Sequence, residues 1–141
     1  MRAELLPLAA LVTPNLDEAA ILTGETVSTV AEMELAGRRL LALGAASALV
    51  KGGHLEGDTM TDVLVTPAGL RHFTRPRLAT SSTHGTGCTL SAAITAGLAL
   101  GRPLQTAVAD ALDYLYRALQ SAPGLGRGHG PLNHRAAAPP P

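Results

Sequence analysis

The string Thr83-His84-Gly85-Thr86-Gly87-Cys88-Thr89 runs directly into a small-residue apolar stretch that continues to about Leu100. Its glycines let backbone N–H groups approach a ligand, and the start of the helix that follows adds roughly half a positive charge. Together they describe an anion site suited to phosphate at a loop-to-helix junction. The bland alternative is a glycine-rich loop that only starts a helix. Either way a loop, a turn and an apolar helix have to follow one another here, and the rest of the chain must supply what the helix packs on.

The other segments supply strands and helices in alternation. Leu8 to Val12 is a short apolar run before Thr13-Pro14-Asn15 and reads as a buried strand ending in a turn. Asn15 suits a helix N-cap with Glu18 three residues on, and the helix Leu16 to Thr23 stops at Gly24. Thr29 and Glu32 repeat the capping pattern. The helix behind them runs through Leu43, with Leu35, Leu40 and Leu43 as its apolar positions, and stops at Gly44. Ser47 to Val50 reads as a second buried strand. Thr61 to Val65 and Leu70 to Thr74 flank Thr66-Pro67-Ala68-Gly69 and predict a hairpin. A helix from the glycine string to Leu100 and a last one from Pro103 to about Gln120 follow. This is an α/β order with part of a sheet between helices. Residues 1–134 read as one domain and 135–141 as a low-complexity tail.

Composition narrows the function classes. Eleven basic and eleven acidic residues among 141 give zero formal charge, so the basic stripe of a nucleic-acid binder is missing. Apolar residues are 46% of the chain, with no Trp and one Phe, so Ala and Leu must build the core. One cysteine, Cys88, excludes an internal disulfide and any multi-cysteine zinc site. The longest apolar stretch is broken by Ser91 and Thr95 and falls short of the roughly 20 residues a bilayer helix needs. Glu4 and Pro7 argue against a signal peptide at the start. The expectation is a cytoplasmic protein that binds neither nucleic acid nor membrane.

Three segments carry candidate chemistry. A thiol in the first turn of the glycine-led helix sits in the helix field, which favours the thiolate. Cys88 is therefore a candidate base for a substrate hydroxyl, with Gly85, Thr86 and Gly87 holding a transferring phosphoryl group. An inert buried cysteine is the alternative. Asn15 and Glu18 put oxygen donors at one helix start, which suits a water-mediated Mg²⁺ contact or simply a capping box. Lys51-Gly52-Gly53-His54 after a strand places a lysine where α/β proteins bind nucleotide phosphates, or forms a turn with a solvated lysine. Gly124 to Pro131 reads by composition as a flexible loop. His72 and His134 read as surface residues, and Asp58 and Asp62 as solvated turn flanks.

As a set, these segments resemble the phosphomethylpyrimidine kinases, the hydroxymethylpyrimidine kinases of thiamine biosynthesis in the ribokinase-like superfamily. The resemblance rests on Leu6-Pro7-Leu8-Ala9, Thr13-Pro14-Asn15-Leu16 with Glu18-Ala19, Leu49-Val50-Lys51-Gly52-Gly53-His54-Leu55, the string Thr83 to Ser91, and Pro123-Gly124-Leu125-Gly126 with Gly128 to His134. Cys88 stands where most ribokinase-like enzymes have Asp, and some pyridoxal kinases share the Cys form. The resemblance implies a three-layer α/β/α fold of which this chain is the carboxyl-terminal, nucleotide-binding half, with members about twice as long. It implies ATP and Mg²⁺, phosphorylation of hydroxymethylpyrimidine and then its monophosphate, Cys88 as base, and Gly85, Thr86 and Gly87 as the anion hole. It also implies nucleotide contacts from Asn15, Lys51, Gly52, Gly53 and Thr89, and Mg²⁺ organised by Glu18. A nucleotide-binding remnant without catalysis and a pyridoxal kinase-like activity are the alternatives. A sheet cut through its middle leaves an open edge, so the expected partner is a complementing half or a second copy of the chain.

Overall fold

The computed structural model describes residues 2–53 and 57–136. They form two compact units that divide between Arg77 and Leu78. His54, Leu55 and the tail beyond Ala136 lie outside the described residues.

The first unit begins with a short helix α1 (Arg2–Leu5) and a 3-10 turn over Leu6–Leu8. Helix α2 (Leu16–Thr23) starts at Asn15 and ends on Gly24, and α3 (Val30–Ala42) starts at Thr29. Both starts are complete capping boxes, each pairing an N-cap side chain with the N3 backbone and an N3 glutamate with the N-cap backbone. Strands β1 (Ala48–Val50), β2 (Thr59–Thr66) and β3 (Gly69–Pro76) form an antiparallel sheet in the order β1-β2-β3. The predicted hairpin is present in register, with Thr66 opposite Gly69 and Asp62 opposite Phe73.

The core of this unit joins one sheet face to two helices. Ala48, Val50, Val63 and Val65 alternate along β1 and β2 and pack with Leu16 and Ala19 of α2 and with Met33, Ala36 and Leu40 of α3. Gly37 sets the closeness of α3 to the sheet, because a Cβ there would run into Cγ2 of Val65.

Two expectations change. Leu35 is not a core residue; it is 59% exposed, and Leu43 is half-buried. Five residues separate Leu35 from Leu40, which puts them about 140° apart around a helix. The buried stripe is instead Met33, Ala36, Gly37 and Leu40, at the spacing that keeps one face inward.

Leu8 to Val12 is not a strand. Leu8 sits in the 3-10 turn and is 82% exposed. The chain beyond it is extended beside β1, but only Val12 forms a bridge, parallel, to Ala48. The Val12 N–H donates to the Ser47 carbonyl (3.0 Å) and the Leu49 N–H to the Val12 carbonyl (2.8 Å). The Lys51 N–H then donates to the Pro14 carbonyl (2.9 Å), but Pro14 has no N–H to complete the next pair. On the other side the Ser47 hydroxyl bonds the Ala10 carbonyl. The ladder is thus held to one bridge by a proline and a serine.

The second unit is a helix pair followed by an irregular segment. Helix α4 (Thr86–Ala99) buries Leu90 and Ile94, and α5 (Leu104–Gln120) buries Ala107, Val108, Ala111, Leu112 and Ala118. Small residues bring the two close: a Cβ on Gly97 would lie 3.0 Å from that of Ala107. No helix among the described residues is long and apolar enough to cross a membrane.

Candidate functional site

In the first unit the capping box and the segment after β1 meet. The Asn15 N–H donates to Glu18 Oε2 and the Glu18 N–H to Asn15 Oδ1, both at 2.7 Å. Lys51 Nζ lies 3.9 Å from the same Glu18 Oε2. Asn15, Glu18 and Lys51 are therefore one cluster, brought together because Lys51 hangs from the Pro14 carbonyl one residue before the cap. Glu18 closes the capping box in this structure.

Gly52 and Gly53 are held from two sides. The buried Gly52 N–H donates to Asp62 Oδ1 at 2.9 Å, and Arg77 Nη1 donates to the Gly53 carbonyl at 3.0 Å. Arg77 Nε also donates to the Gly57 carbonyl at 2.8 Å. Asp62 is thus not a solvated turn residue but a half-buried group on β2. Burial pushes its carboxyl above the usual carboxylate range, against the Gly52 N–H and the charges of Arg75 and Lys51. The available sign was an aspartate inside a run of strand-forming residues.

A cation is a constrained fit in this unit. Glu18 is an oxygen donor on the surface, but Lys51 stands beside it, and among the described residues no three His, Cys, Asp or Glu gather. A single carboxylate suits Mg²⁺ that is held mainly by water and phosphate.

In the second unit Gly85 is the N-cap of α4 with φ 80° and ψ 4°, a left-handed conformation glycine adopts without strain, and no side chain caps the helix. The Thr86 N–H reaches the Thr83 carbonyl (3.5 Å) and the Thr89 N–H the Gly85 carbonyl (2.9 Å). The N–H groups of Gly87 and Cys88, between them, have no partner among the described residues. Cys88 is an exposed free thiol, which sets aside the buried alternative. A groove of about 510 Å³ runs from Gly85, Cys88 and Thr89 past Ala92 and Ala93 to Tyr114 and His134.

The chain directly after the glycine-rich segment is pinned to α5, and the segment itself is held at His129. The Tyr114 hydroxyl donates to the His134 carbonyl at 2.9 Å, and the Asn133 N–H to the Ala118 carbonyl at 3.1 Å. Leu132 is buried, and Thr83 Oγ1 lies 3.2 Å from His129 Nδ1. His129 and Tyr114 carried no local sequence signal, since their partners lie 46 and 20 residues away.

This backbone closely follows that of pyridoxal kinase from Bacillus subtilis, solved as an ADP complex, with a TM-score of 0.91 and 36% identity. The match covers 96% of this chain and 53% of that one. The fold is thus part of a ribokinase-like α/β kinase. Residues 1–133 match the phosphomethylpyrimidine kinase family, and the chain belongs to that family. It is 48% identical over 134 residues to the hydroxymethylpyrimidine/phosphomethylpyrimidine kinase of Rhizobium meliloti, covering 93% of this chain and 50% of the relative. It is also 48% identical over 138 residues to the thiamine biosynthesis bifunctional protein ThiED of Geobacter sulfurreducens, covering 98% of this chain and 28% of that protein. The chain therefore spans half or less of these curated relatives.

Proposed function

We propose that this chain carries the nucleotide and phosphoryl machinery of a kinase that phosphorylates hydroxymethylpyrimidine, and then its monophosphate, in thiamine biosynthesis. The observation that carries the reading is the start of α4, which no side chain caps and where the N–H groups of Gly87 and Cys88 have no partner among the described residues, beside an exposed thiol. Family membership supports it.

In this reading Gly85, Thr86 and Gly87 bind the oxygens of the transferring phosphoryl group. The Gly87 N–H, with that of Cys88 beside it, is held by the first turn of α4, so donors fixed in this way need little reorganisation as charge develops there. Cys88 as thiolate takes the proton of the substrate hydroxyl. The hydroxyl oxygen forms its bond to the γ-phosphorus of ATP while the bond to the β–γ bridging oxygen breaks, releasing ADP. Thr89 binds beside the hole, and Lys51, Gly52, Gly53 and Asn15 contact the nucleotide. Glu18 would hold Mg²⁺ through its water shell. Bound there, Mg²⁺ supplies charge neutralisation on the phosphates. We place the protein in the cytoplasm, where thiols stay reduced. The pocket for the pyrimidine comes from the length that the relatives have beyond this match, in the same polypeptide, a complementing chain or a second copy.

Incubation of the purified chain with ATP, Mg²⁺ and hydroxymethylpyrimidine, with product followed by mass, tests the reading. Phosphorylated product that is lost in Cys88→Ala supports it. If a segment supplying the rest of the relatives' length is added and Cys88→Ser still turns over normally, Cys88 leaves the mechanism. A second reading, pyridoxal phosphorylation, is favoured by the likeness to a pyridoxal kinase. Pyridoxal in the same assay distinguishes the two. A chain that binds ATP and phosphorylates neither compound is a nucleotide-binding remnant.

A further inference from the structure

Lys51 carries its charge on a long, flexible side chain, so a fixed backbone narrows where its ammonium can reach. Three bonds fix it. Its own N–H is tied to Pro14, the next N–H to Asp62, and the carbonyl after that to Arg77. The last two come from β2 and from the residue directly after β3, and neither belongs to the Lys51-Gly52-Gly53 string. Gly52 is buried while Gly53 is exposed, so the clamp grips one residue below the surface and one on it. Asp62 is a half-buried carboxylate whose Oδ1 takes a backbone N–H that strand pairing leaves open.

We propose that Asp62 and Arg77 are positioning residues that hold the backbone of Lys51-Gly52-Gly53, and so aim the Lys51 ammonium at a nucleotide phosphate. This rests on the nucleotide reading above. In this proposal both residues bond the backbone of the string rather than the nucleotide. Their effect passes through Lys51, and that dependence is the property to test.

The probe is ADP, titrated into the full chain with isotope-labelled amides as the readout. Asp62→Ala should weaken ADP binding by about tenfold, the effect expected when a fixed contact is lost. Asp62→Asn keeps an acceptor for the Gly52 N–H and should restore binding to within about threefold of the parent chain. In a Lys51→Ala background the same Asp62→Ala change should shift binding by less than about twofold, because coupled residues are not additive. Should Asp62→Ala fail to fold, Arg77→Met carries the same comparison from the surface side of the clamp. Equal losses with and without Lys51, or no loss in either variant, overturn the positioning role while leaving the nucleotide reading intact. A folded parent chain that binds no ADP overturns the nucleotide reading and this proposal with it.

Discussion

Lys51 Nζ stands 3.9 Å from Glu18 Oε2, the oxygen that also accepts the Asn15 N–H. One carboxylate oxygen thus closes a helix cap and faces a lysine from a different element. The glutamate side chain is 56% exposed, and ion pairs so exposed contribute about 0–1 kcal/mol. The cap contributes more than the ion pair. Asn15→Ala should lower stability by about 1 kcal/mol in urea unfolding, and Glu18→Gln by less, since Gln keeps an acceptor for the Asn15 N–H. Equal losses in the two variants would mean that charge, not capping, holds this corner.

Asp62 ties stability to pH. Its folded carboxyl is held above the ordinary 3.8 by burial, so at pH just above that value the folded chain holds this proton more tightly than the unfolded chain. The contribution is fully present below pH 3.8 and is lost as pH rises through the folded value. Asp62→Asn has no proton to lose there, and unfolding at a series of pH values should show a flatter acid-side profile than the parent chain. An identical profile removes Asp62 as the source.

Gly37 tests close packing against helix propensity. Alanine is favoured over glycine inside a helix by about 1 kcal/mol. A Cβ at Gly37 meets Val65, however, and overpacking a core costs about 1–3 kcal/mol. Gly37→Ala should therefore leave the chain no more stable, and most plainly destabilised. Gly37→Ala combined with Val65→Ala should recover part of the loss relative to Val65→Ala alone. A stabilised single variant would show that α3 shifts freely away from the sheet.

Tyr114 reports on the glycine-rich segment. Its hydroxyl holds the His134 carbonyl at 2.9 Å, and loss of one such bond costs about 0.5–1.5 kcal/mol. Tyr114→Phe should lower stability by that order and speed amide exchange at Asn133, leaving exchange in β2 unchanged. Slow exchange at Asn133 in the variant would show that Leu132 and Asn133 suffice to pin the segment.

Much of the local structure was legible from spacing alone. Asn15 with Glu18 and Thr29 with Glu32 each lie three residues apart, and both formed the expected boxes. Pro67-Ala68 between strand-forming runs gave the hairpin, and Gly85 began α4 as expected. Leu35 is exposed because it stands about 140° around α3 from the buried Leu40, an angle that leucine content alone does not show. Leu8 to Val12 is not a strand because Leu8 is taken into the 3-10 turn and the Ser47 side chain holds the Ala10 carbonyl, which leaves pairing with β1 at Val12.

What the chain determines by itself is whatever closes within one helical turn or one hairpin: the caps, the two-residue turn, the left-handed glycine before α4. Those bonds form between groups that the backbone already keeps near each other. The bond from Gly52 to Asp62, the Lys51–Glu18 pair, the approach of Val65 to Gly37 and the Thr83–His129 contact are different. Each joins groups from separate elements, so each exists only once the sheet register and the helix packing have brought them within reach.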